Sequence, residues 1–99
     1  MAEPRITLAY TKGDDGEPDE VLLYVNPEGR DLLINELRRL DERSDHFHLQ
    51  DESWGAEVPL KVKPYVPERE GVFSVAKVML RPDDWDAEYF PHVLSGSSS

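Results

Sequence analysis

Apolar and polar residues alternate over residues 5–10 (RITLAY), placing Ile6, Leu8 and Tyr10 on one face against Arg5, Thr7 and Ala9. Period-two alternation marks a half-buried strand. A second such run, residues 20–25 (EVLLYV), puts Val21, Leu23 and Val25 together. Between the two, TKGDDGEPD carries two glycines and a proline, which break pairing and give a solvated tip. The pair predicts a hairpin with a long acidic tip. The period then changes. Asn26 is a good N-cap, Pro27 suits the first helical position and Glu28 faces the positive end of the helix dipole. Leu33, Leu37 and Leu40 recur at helical spacing, flanked by Leu32 and Ile34, and are the predicted buried stripe. Gly29 falls on the same side and lets the first turn approach a sheet closely. Arg30, Arg38 and Arg39 point to solvent, and the helix ends near Asp41–Arg43.

Residues 45–50 (DHFHLQ) predict a third strand, with Phe47 and Leu49 on one face and His46 and His48 on the other. Asp51 to Gly55 is a turn carrying Trp54. Val58, Leu60 and Val62 mark a fourth strand, which Pro59 assigns to an edge or a late start. After a loop bracketed by Pro64, Pro67 and Gly71, residues 72–81 (VFSVAKVMLR) form the longest strand, apolar on both sides except at Ser74 and Lys77. A strand apolar on both faces is usually covered on both. The helix covers one, and the aromatic segment after Pro82, with Trp85, Tyr89 and Phe90 at helical spacing, is available for the other. The fold class is therefore α+β: one mostly antiparallel sheet of about five strands, ordered β-β-α-β-β-β, with one long amphipathic helix on a face. Residues 1–94 form this single domain, and SGSSS at 95–99 has the composition of a disordered tail.

Charge changes the picture more than composition does. Apolar residues make up 38% and charged residues 32%, enough for one modest core in 99 residues. Net charge is −10 and uneven: residues 1–20 hold six acids against two bases, and residues 83–94 hold four acids and no base. Nucleic acid is a poor direct partner, because phosphates need lysine and arginine. A basic protein would be steered to such a surface. With no cysteine, disulfides, thiolate metal sites and thiol nucleophiles are excluded. No apolar run nears the roughly 18 residues that span a bilayer, and residues 1–20 lack signal-peptide features, so the expectation is a cytoplasmic protein away from membranes.

Candidate chemistry is sparse. His46 and His48 leave one face of a strand, and imidazole with Asp45, Glu52 or His92 could suit zinc or iron, but no third ligand is placed by spacing. The alternative is a polar patch on the outer face, open to contact. Twenty-one carboxylates offer no distinguished pair, the serines lack a nucleophile-elbow context, and GDDG sits in a hairpin tip rather than opening a helix. The chain is thus expected to be no enzyme and to need no cofactor or metal. Trp54, before Gly55, is either a core plug or a binding anchor. Trp85 and Tyr89 are further anchors, since tryptophan and tyrosine dominate interface hot spots.

The run Asn26-Pro27-Glu28-Gly29 opening a leucine helix, then Asp45-His46-Phe47-His48-Leu49, then Trp54-Gly55-Ala56-Glu57-Val58, resembles the immunity protein 32 family of bacterial polymorphic toxin systems. The resemblance covers roughly residues 21–62. Ala56 and Val58 stand where a second glycine and a leucine are expected. It implies a small cytosolic protein that neutralises a cognate toxin. On that implication, Asp14, Asp15 and Glu17 on the hairpin tip, and Asp83, Asp84 and Asp86 near the C-terminus, are the candidate acidic contacts to a basic toxin domain. His46, His48, Trp54, Trp85 and Tyr89 complete the candidate surface. A homodimer meeting through its outer sheet face and a metal-binding protein built on the two histidines are the alternatives.

Overall fold

The computed structural model describes residues 3–15 and 17–94, so the serine-rich stretch at 95–99 lies outside the described residues. In chain order the elements are β1 (Ile6–Lys12), β2 (Pro18–Val25), α1 (Pro27–Arg39), β3 (His46–Asp51), β4 (Val58–Leu60), β5 (Glu70–Val72), β6 (Val75–Met79) and α2 (Asp83–Tyr89). The fold is α+β, with two three-stranded sheets and two helices. None of the described helices is long and apolar enough to cross a membrane.

Asn26 begins α1 and ties it down. Its Oδ1 accepts from the N–H of Gly29 at 2.7 Å and of Arg5 at 2.8 Å, and its Nδ2 donates to the Glu3 carbonyl at 2.9 Å. One side chain thus caps the helix and fastens it to the residues entering β1. Gly29 then rests on β1 itself. A Cβ there would lie 2.6 Å from the Arg5 carbonyl oxygen and 2.8 Å from Ile6 Cγ1. Only glycine permits that approach.

The buried stripe of α1 differs from the leucine pattern. Gly29 and Glu36 are its buried residues, with Leu32, Leu33 and Leu40 partly buried, while Leu37 is 50% exposed. At 100° per residue, Gly29, Glu36 and Leu40 lie within about 40° of one another, and Leu37 lies well to one side. Counting leucines moved the expected stripe off the true axis. Glu36 occupies its middle by turning its carboxylate to Arg39, whose Nη1 donates to both oxygens at 2.8 Å.

The expected single sheet is two. The first is ordered β2-β1-β5 and the second β4-β3-β6; every pairing is antiparallel except the parallel β3–β4. The stretch read as one long strand divides. Its first part pairs with β1, ending where Phe73 N–H donates to the Leu8 carbonyl at 2.8 Å. At Ser74 it changes neighbour, and its carbonyl accepts from Asp51 of β3 at 2.8 Å. The chain leaving β4 also reaches β1, with Lys61 N–H donating to the Ile6 carbonyl at 2.8 Å. The edge of β1 opposite β2 is thus taken by β5 with Phe73 and by the chain leaving β4, which leaves no place on it for β3. That is why one continuous sheet does not form.

Around this junction Ile6, Val58 and Leu60 are fully buried beside Phe47 and Leu49. The opposite face of the first sheet is covered by the 61–69 loop, where Tyr65 stacks on Tyr24 at 4.0 Å. Beneath it the buried Glu70 carboxylate accepts from the Tyr24 hydroxyl at 2.6 Å, a bond that raises the tyrosine's pKa. The outer face of the second sheet stays open, with Val75 and Met79 exposed. The C-terminal aromatics do not cover it.

Replacing Gly29 with Ala is expected to lower the melting temperature, although alanine is favoured by about 1 kcal/mol in an open helix. An unchanged or raised value would show that the helix does not rest on β1. Leu37→Ala is expected to cost under about 0.5 kcal/mol as a surface change. Leu49→Ala, in the core, should cost about 2–5 kcal/mol by denaturant unfolding.

Candidate functional site

The chain between α1 and β3 turns tightly because Asp41 Oδ1 accepts the N–H groups of Arg43 and Ser44 at 2.9 and 2.8 Å. Asp45 then holds the end of β6, its carbonyl accepting from Leu80 N–H at 2.7 Å. Pro82 follows and starts α2, whose first turn carries Asp83, Asp84 and Asp86. These acids complement the dipole of a helix that has no side-chain cap.

Loop, strand end and helix enclose a cleft of about 360 Å³. Five carboxylates line it, those of Asp41, Glu42, Asp45, Asp84 and Glu88, and Arg81 is its one base. Trp85 and Tyr89 supply the aromatic wall, with ring centroids 4.7 Å apart, and Phe90 extends it 5.4 Å from Trp85. The Arg81 guanidinium lies 4.3 Å from the Trp85 centroid and 3.7 Å from Asp45 Oδ2. The cleft thus already holds one guanidinium between an aromatic face and a carboxylate, an arrangement favourable by cation–π and charge attraction together. It is chemically suited to a second basic side chain.

Sequence reasoning found Asp84, Trp85 and Tyr89 but missed Asp41, Glu42, Asp45 and Glu88, which only the packing of α2 beside the 41–45 loop collects. Asp83 and Asp86 lie in the same turn of α2 but outside the cleft lining. Asp14, Asp15 and Glu17 sit on the β1–β2 tip, a separate place, where Asp15 Oδ1 accepts from Glu17 N–H at 3.0 Å. Trp54 is 58% exposed, in a short 3₁₀ turn ended by Gly55 at φ 72°, so it is no core plug.

His46 and His48 do share a face of β3, edge to face at 5.1 Å, and each has its own carboxylate. Asp45 Oδ1 meets His46 Nδ1 at 2.9 Å, and Glu57 Oε1 accepts the His48 backbone N–H at 2.8 Å. Among the described residues, no three His, Asp or Glu side chains converge as a metal cluster would. The bond to His46 lowers the Asp45 pKa, helped by the His46 and Arg81 charges against partial desolvation. The His48 N–H does the same for Glu57, again against desolvation.

A carboxyl whose pKa is lowered by folding stabilises the fold above its unfolded-chain pKa and stops doing so as pH falls through the lowered value. Wild type is therefore expected to be more stable than Asp45→Asn or Glu57→Gln at pH 6. The gap should close as acid protonates the carboxylates below about pH 4. Melting curves across that range check it, and a gap that widens in acid would contradict the assignment. Compared with known proteins, the chain matches no family model, no curated protein and no solved structure.

Proposed function

We propose that this chain acts by binding another protein, as a non-catalytic inhibitor of immunity type that neutralises a basic toxin domain in the cytosol. The observation that carries the binding reading is the Arg81–Trp85 stack inside a rim of carboxylates. A partner lysine or arginine would meet the same aromatic and acidic groups. Tyr89 and Phe90 are both exposed, as anchors must be before binding. The net charge of −10 would speed encounter with a cationic surface and disfavour nucleic acid. The toxin-neutralising role rests on the resemblance of residues 26–29, 45–49 and 54–58 to the immunity protein 32 family.

The test is co-expression with the toxin-like product of the neighbouring gene, where protection is expected. A product that is harmless, or that kills equally with and without this protein, contradicts the reading. With a protective pair in hand, surface plasmon resonance separates the contributions. Neutralising Asp14, Asp15 and Glu17 with Asp83 and Asp86, all outside the cleft lining, is expected to slow association and flatten its salt dependence, leaving dissociation nearly unchanged. Neutralising Asp84, inside it, should also affect dissociation. Replacing Tyr89 or Trp85 with Ala should instead hasten dissociation, with a loss of about 2 kcal/mol or more at a hot spot. Exposed Trp54 can be tested in the same way.

A further inference from the structure

We propose that β2 is a self-pairing edge, through which two copies of this chain join their first sheets into one six-stranded sheet about a two-fold axis at Leu23. The hydrogen-bond directions give the first reason. Lys61 and Phe73 donate to the carbonyls of Ile6 and Leu8, so alternate residues of β1 point away from β2. Thr7, Ala9 and Thr11 point toward it, and their register partners are Tyr24, Leu22 and Glu20. The N–H and C=O groups of Val21, Leu23 and Val25 consequently face outward, on a strand that ends the sheet.

The second reason is that this edge lacks protection where it is most apolar. Natural edges are blunted by charge, proline or a bulge. Pro18, Asp19, Glu20 and the irregularity between Thr11 and Lys12 all lie at the tip end. Val21 to Val25 carries none of these, yet Val21, Leu23 and Val25 are 64%, 53% and 40% exposed. They share the face of Ile6 and Leu8, but α1 crosses at Ile6 and leaves them bare.

The third reason identifies the occupant as a second copy. Val-Leu-Leu-Tyr-Val is close to a palindrome. With Leu23 opposite itself, each Val21 meets a Val25, and Leu22 lies across from Tyr24 on the other face. The outward groups pair reciprocally, and Glu20 falls beside Asn26 of the second copy, so no acid faces an acid there. An isologous contact of this kind closes as a dimer and does not propagate. It buries on the order of 1,000 Å², at the low end for specific interfaces. None of the cleft residues is on β2, so this proposal stands or falls independently of the inhibitor reading.

Sedimentation equilibrium from about 5 µM to 1 mM tests it. The mass is expected to rise from 11.3 kDa toward twice that value. The association should strengthen with salt, which screens repulsion between two acidic copies. Hydrogen exchange should slow with concentration at the amides of Val21, Leu23 and Val25, and not at Leu22 or Tyr24. Leu23→Pro removes an outward N–H without touching the β1–β2 ladder and is expected to give a folded monomer. If that variant fails to fold, Leu23→Lys serves the same purpose. A chain that stays at 11.3 kDa at 1 mM overturns the proposal. So does a dimer that survives the folded variant, or one whose three edge amides exchange as fast as in the monomer.

Discussion

Asn26 is the point at which the strand, the helix and the sheet junction become one structure. Its side chain accepts from Arg5 and Gly29 and donates to Glu3, while its own N–H donates to the Arg5 carbonyl at 3.1 Å. These bonds fix the start of α1 directly over β1. From there the absence of a Cβ at Gly29 sets the separation, and the separation buries Ile6. Because Ile6 also accepts from Lys61, the same residue joins β4 to β1 and brings Val58 and Leu60 into the core. Loss of the cap would therefore loosen more than one helix end.

A helix anchored in this way can reach only so far. α1 runs from Ile6 toward the second sheet, where Glu36 and Leu40 line a small cavity with Phe47. It leaves the far half of the β1–β2 hairpin bare. The result is a thin molecule, 41 × 39 × 22 Å, with a radius of gyration of 16.0 Å. A compact chain of this length would be near 13 Å. Apolar side chains on β2, on β6 and on α2 remain outside. The surfaces proposed for binding are those that the anchor cannot cover.

Local rules made the helix start legible: Asn26, Pro27 and Gly29 carry their roles in their own chemistry. The paired orientation of His46 and His48 was equally readable, since strand alternation needs no partner to define it. Glu36 was not, because a buried carboxylate declares itself only when Arg39 and the packing axis are known. Leu37 was misplaced for the same reason. The division of residues 70–79 between two sheets depends on which edge of β1 is free, and no periodicity records that. The cleft lay still further from sequence. Asp41 read as a helix end and Asp45 as the start of a strand, while Trp85 and Tyr89 read as anchors or as cover for the sheet, with nothing to join the two pairs. Only the turn at Asp41 and the break at Pro82 bring them together.

In the proposed function it is this particular cleft, rather than acidity in general, that recognises a basic side chain. The direct measurement is a two-dimensional NMR titration with a short arginine-containing peptide at moderate salt, following backbone amides and the Trp85 indole N–H. Shifts concentrated at residues 41–45 and 81–89, saturating together and lost in Trp85→Ala, are the expected result. Shifts of equal size at the hairpin tip acids, or a response that tracks local charge and vanishes with modest salt, would contradict it.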